Sequence, residues 1–293
     1  MASRFWVGGT GTWDLSSTTN WSATSGGASG ASAPTTGDDV TFNGSSGGGV
    51  VTVASAVSGL SLVSLTAGAF TGTLDFAANG PINMTLTANG TAMNLSGTGT
   101  RKFLMGNGTF TFSGSTGTVT LWELGTATNL DALSSFSSCA IVYSGNTSGE
   151  RQFSGSGQTY GSFTIGTNTS RGGVRIFGAS TFSSISVATG TSYVTFPASS
   201  TTTITGSAGF SVTGSSSSQT LINNNNFTTG AATISLSSGA STPSWAAFWG
   251  ITTTGAGTMT ATNSFDLGRN TLDAGDTITA PTGGSSGGGI IGA

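Results

Sequence analysis

The chain has no histidine, one cysteine and one lysine, and only 6% of its 293 residues are charged, against roughly 25% in ordinary soluble domains. Each shortage closes a class of chemistry. Without histidine there can be no Ser-His-Asp or Cys-His arrangement and no His-bearing metal site. The lone Cys139, in Ser-Ser-Cys-Ala-Ile-Val-Tyr, can close no disulfide within the chain and reads as a small buried hydrophobe in a strand. Lys102 is followed by Phe103 and no glycine-rich loop precedes it, so it belongs to no phosphate-binding P-loop. A net charge of −3 leaves no basic stripe, which argues against nucleic acid and against anionic membrane surfaces. No apolar run approaches the ~18 residues of a membrane span, and MASRFWVGG lacks the apolar stretch of a secretory signal.

What replaces charge is Thr, Ser, Asn and 49 glycines, with 35% hydrophobic residues to build a core. β-branched and aromatic residues are plentiful, so this is not the composition of a disordered chain. Short alternating runs such as Phe182-Ser-Ser-Ile185-Ser-Val187, Tyr193-Val-Thr-Phe196, Phe210-Ser-Val-Thr and Thr233-Ile-Ser-Leu236 recur about every 9–12 residues between Gly, Ser, Ala or Asn, the signature of many short strands. Asn79-Gly80 and Asn89-Gly90 have two readings. They suit hairpins of an antiparallel β-sandwich, or corners between successive strands of one coil. Three strands per coil at the observed spacing gives about 25–32 residues per coil and about eight to ten coils, a stack ~40–50 Å long.

Residues 1–44 are expected to form an aromatic, glycine-rich cap, 45–280 a β body, and 281–293 a Gly/Ser-rich tail. Trp6, Trp13 and Trp21 would seal one open end of the stack; a tryptophan-lined carbohydrate platform is the other reading. Trp245, Phe248 and Trp249 suit the opposite cap or a subunit contact, and Ile290-Ile291 a hook onto a partner. These eight residues are the candidate assembly contacts. Trp122 is expected in the core, and Glu150-Arg151 with Arg171 and Arg175 as ion pairs on loops or a ligand-binding cluster. The run Asn223–Asn226 suits either a structural amide ladder or sugar binding.

The spacing W-x-G-G-x-G-x-W, N-W and P-x-x-G-D-D-V-x-F over residues 6–42 resembles the opening of β-helical repeat proteins found in autotransporter-type bacterial surface proteins and in bacteriophage virions. Stretches at 101–114, 153–165, 178–182 and 265–270 continue the likeness. The resemblance implies a single-stranded right-handed parallel β-helix, or β-solenoid, on an exposed surface, and it brings no catalytic residues.

The expected function is therefore a structural virion surface protein, either capsid decoration or part of a fibre or spike. Its partners would be other virion proteins, further copies of itself and a cell-surface glycan, with no cofactor and no catalysis. Release by lysis would take such a protein outside the cell. Bacterial adhesin and polysaccharide depolymerase are the alternatives. The latter needs two converging carboxylates, and the candidate acids are Asp38, Asp39, Asp75, Glu123, Asp131, Glu150, Asp266, Asp273 and Asp276.

Overall fold

The computed structural model describes residues 1–125, 129–225 and 230–282. Among them there is no α-helix; apart from two short 3-10 turns at Gly44–Ser46 and Ser55–Val57, the regular structure is strand. The strands pair with others far away in sequence and in parallel. Val40 lies beside Leu65, Leu65 beside Met93, Met93 beside Trp122, Trp122 beside Phe153 and Phe153 beside Ile176. Each step up this sheet therefore consumes 25, 28, 29, 31 and then 23 residues. Such pairing excludes the antiparallel sandwich, whose neighbours would be joined by short hairpins.

The largest sheet has twelve strands. Eleven are parallel rungs running from Ser3–Trp6 to Phe265–Asp266, slightly more than the eight to ten expected, and at ~4.8 Å per rung they span about 50 Å. The twelfth, Trp21–Ser22, lies antiparallel against Ser3–Trp6 and closes that edge. A second sheet stacks Gly11–Trp13, Val50–Val53, Thr73–Asp75 and Lys102–Leu104. The residues expected to form a separate cap thus already supply the first rungs of both sheets.

A third, ten-stranded sheet climbs from Leu60–Leu62 and branches at Ser180–Val187. Phe182 of that strand faces Ile204, while Ile185 faces Phe210. The branch is a matter of local sequence. Thr159–Ile165 and Ser180–Val187 are long strands that change the phase of their alternation midway: Tyr160 and Phe163 both point inward, as do Phe182 and Ile185. The chain turns this corner without a loop, which is why Val174 and Val194 are only 20 residues apart. Gly161 sits at the bend because a Cβ there would lie 2.6 Å from the Cys139 carbonyl oxygen.

Inward positions carry the core. Val40, Leu65, Met93, Trp122, Phe153 and Ile176 form one fully buried column, and Val174, Val194, Ile222 and Phe248 form a second beside it. Trp122, Phe153, Tyr160, Phe163 and Phe182 interlock with centroids 5.1–6.4 Å apart, each such pair adding about 0.5–1.5 kcal/mol beyond area burial. Cys139 is fully buried beside them, as expected.

The Asn-Gly dipeptides turn corners. Gly80 has φ 88°, in the left-handed region, and Asn79 donates its amide to the Val53 carbonyl of the coil below at 2.9 Å. Asn89 accepts from the N–H of Ser115, one coil above, at 2.9 Å. A second corner is polar and buried: Thr147 donates to Gly117 O, Asn168 to Thr147 O, and Thr220 to Thr191 O, at 2.9–3.1 Å. These side chains satisfy carbonyls that the bends leave without ladder partners.

Candidate functional site

Because Val194, Phe196, Ile222, Ala246 and Phe248 point inward on the largest sheet, their neighbours Tyr193, Thr195, Leu221, Asn223, Ala247 and Trp249 point outward. The register lines these up. Gln152, Arg175, Thr195, Asn223 and Trp249 form one outer row on five successive rungs; Tyr193, Leu221, Ala247 and Phe265 form the row beside it.

At the lower end of this stripe is the single ion pair among the described residues, Arg175 Nε to Glu150 Oε2 at 3.1 Å. The same oxygen accepts from the Tyr193 hydroxyl at 3.0 Å, and Oε1 accepts from Gln152 Nε2 at 2.9 Å. Tyr193 reaches down two rungs because the intervening residue is Gly173, where a Cβ would fall 2.0 Å from the ring. Burial, together with the Glu150 carboxylate, pushes the Tyr193 phenol above its ordinary range, so it stays a donor. Arg175 also lies over the Phe177 ring at 5.7 Å. Higher up, Thr195 donates to Asn223 Oδ1 at 2.7 Å. Asn223 is 3% exposed, and its Nδ2 has no partner among the described residues.

The other arginines of the expected cluster are differently placed. Arg151 lies in the strand Arg151–Ser154, fully buried, stacked 4.4 Å over Tyr143 and donating to the Gly172 and Gly173 carbonyls. No carboxylate pairs with it among the described residues, so it is a clamp on a corner and not a loop ion pair. Arg101 does the same with the carbonyls of Leu95, Gly97, Gly99 and Leu124. Arg171 is exposed, in the left-handed region at φ 62°.

The acids are mostly taken up by main-chain contacts. Eight of the ten accept hydrogen bonds from main-chain N–H groups: Asp14, Asp75, Glu123, Asp131, Asp266 and Asp273 close their own turns, Asp38 holds Ala2 and Thr35, and Asp276 holds Met259. Asp39 accepts from Ser64, which leaves Glu150 as the one carboxylate engaged by several side chains. No group of three His, Cys, Asp or Glu residues is arranged for a metal among the described residues. Two recesses, of about 170 Å³ at Ser134–Ser137 and Gln158 and about 90 Å³ at Thr71–Thr73, Lys102 and Asp131, fall short of the ~300 Å³ of an ordinary small-molecule pocket.

Trp6, Trp13 and Trp21 are completely enclosed around Phe42, with centroids 5.1–6.0 Å apart. They fill the first end of the stack as interior packing, and Phe248 is likewise buried. Trp245 and Trp249 keep part of their surface outside. Ile290 and Ile291 lie outside the described residues. Of the asparagine run, Asn224 turns inward to the Gly230 carbonyl and Asn225 accepts from Ala198 N–H at 2.8 Å; Asn226 lies outside the described residues. The outer stripe escapes sequence inspection because its members come from five coils and meet only through the register.

Comparison with protein-family models, with curated proteins and with solved structures finds no match.

Proposed function

We propose that this chain is a non-enzymatic structural protein of a virion surface, a decoration, fibre or spike subunit built as a single-stranded right-handed parallel β-helix. The uninterrupted parallel sheet of eleven rungs, clothed in hydroxyl and amide groups in place of charge, carries the proposal. A right-handed path follows from the general handedness of parallel crossovers. Such a body needs no cofactor. It would be rigid because every rung is held from both sides, and it would meet other virion proteins or further copies at its ends. Its flat sides are left to face a host surface.

The engagement of the acids in turns supports a structural role over a depolymerase, which requires two carboxylates facing across a groove. Localisation decides between the two structural readings. Antibody against the chain should label intact particles purified from the lysate of a producing culture. Label confined to the envelope of unlysed cells would replace the virion protein with a bacterial adhesin. Release of reducing ends from capsular polysaccharide by the purified chain would overturn both.

A further inference from the structure

We infer that the outer stripe of the largest sheet, centred on Arg175, Tyr193, Asn223 and Trp249, binds an extended uncharged glycan laid along the stack axis. The inference rests on the reading of the chain as an exposed scaffold and adds a site and a ligand class to it. Four observations converge. Tyr193 and Trp249 come from strands two rungs apart and from adjacent rows, with the Tyr193 ring leaning away over Gly173, and both are partly exposed on a face whose alternate positions are wholly buried. Aromatic side chains spaced along such a face can stack against the C–H faces of separate rings in an extended saccharide chain, and aromatic bodies kept at a surface are unusual without such a use.

On the strand between them sits Asn223, 3% exposed, its oxygen fixed by Thr195 and its Nδ2 without a partner among the described residues. An amide whose oxygen is held in this way keeps its N–H donors available at the surface, and a saccharide hydroxyl is a suitable acceptor. Arg175 spends Nε on Glu150 and has no partner for its terminal nitrogens among the described residues. Because Glu150 pairs with the Arg175 guanidinium at 3.1 Å, the ionised groups of the stripe itself balance, which favours neutral sugars over uronates or sialylated chains. The stripe also runs without a break over five rungs. It accepts a chain segment and not a terminus.

The test uses the full chain and defined probes: cellohexaose and chitohexaose as neutral extended chains, and a tetragalacturonate as the charged one. Titration is followed by tryptophan fluorescence and by calorimetry. At least one neutral hexamer should bind in the micromolar to millimolar range and perturb tryptophan emission, with the galacturonate silent. Trp249→Ala should weaken binding tenfold or more, and Arg175→Gln several-fold. Trp249→Phe should restore most of the affinity, which separates a stacking role from a folding defect. Asp75→Asn, remote from the stripe, should change nothing.

No binding of either neutral hexamer at millimolar concentration overturns the inference, as does affinity untouched by Trp249→Ala in a protein with wild-type circular dichroism. Sedimentation in which the chain self-associates and Trp249→Ala dissolves the oligomer also overturns it, because the stripe is then a subunit contact. Labelled particles that bind no glycan would sink only this inference. Glycan binding by a chain found away from particles would sink only the virion reading.

Discussion

At the scale of single residues, small side chains and buried donors do most of the specifying. Gly173 exists so that Tyr193 can lie across it and reach Glu150. Gly173→Ala should therefore cost about 1–3 kcal/mol by overpacking, and much of that cost should vanish when Tyr193→Ala removes the obstructing ring. Denaturant midpoints of the two single variants and the double variant read this coupling directly. Cys139 gives a second prediction. Its thiol is buried and pushed well above its ordinary range, so a disulfide reagent at pH 8 should label nothing in the native protein and one thiol per chain in denaturant. Rapid native labelling would show that the interlocked aromatic region opens. The burial of Cys139 and Trp122 was legible from their neighbours in the chain. That of Arg151 was not, because an arginine in a sequence reads as surface until its carbonyl partners, more than twenty residues away, are known.

Among the elements, the first end is the most elaborately built. Asp38 is buried, which opposes its ionisation, yet the N–H groups of Thr35 and Ala2, the Thr35 hydroxyl and the nearby Arg4 together hold the carboxyl below its ordinary range. Asp14 is held low by the N–H groups of Ser17 and Ser16. Both folded values lie below the unfolded one, so their stabilisation is complete above about pH 4 and drains away as pH falls through the folded values. Acid titration should loosen this end, shifting emission from Trp6, Trp13 and Trp21. Asp38→Asn should flatten that acid dependence and lower stability at neutral pH. An unchanged acid midpoint would place the sensitivity elsewhere. Strand positions were readable because alternation of period two survives in single runs. The choice between antiparallel and parallel pairing was not, since Asn79-Gly80 permits either, and only the pairing of strands some 25 residues apart decides it.

For the whole molecule, the parallel ladders predict how it resists cutting. Of its seven basic residues, Arg101 and Arg151 are buried and Arg171 and Arg269 are exposed. Trypsin under native conditions should act first at Arg171 and Arg269, and a chain nicked at Arg171 should still migrate as one particle by size exclusion, separating only in denaturant. Early cleavage at Arg101 or Arg151 would contradict continuous stacking. The overall class was legible because depleted charge, abundant glycine and recurring short strands all agree. The outer stripe was not, because it exists only where five strands at unequal separations in the chain come into line.

The antiparallel strand Trp21–Ser22 has a kinetic meaning as well. It occupies the only edge on which a rung could be added before Ser3–Trp6, while the opposite edge remains open to Asp39–Thr41 and everything after it. Growth of the structure is thereby given a direction, the same one in which a ribosome delivers the chain, and each finished turn becomes the template on which the next is laid.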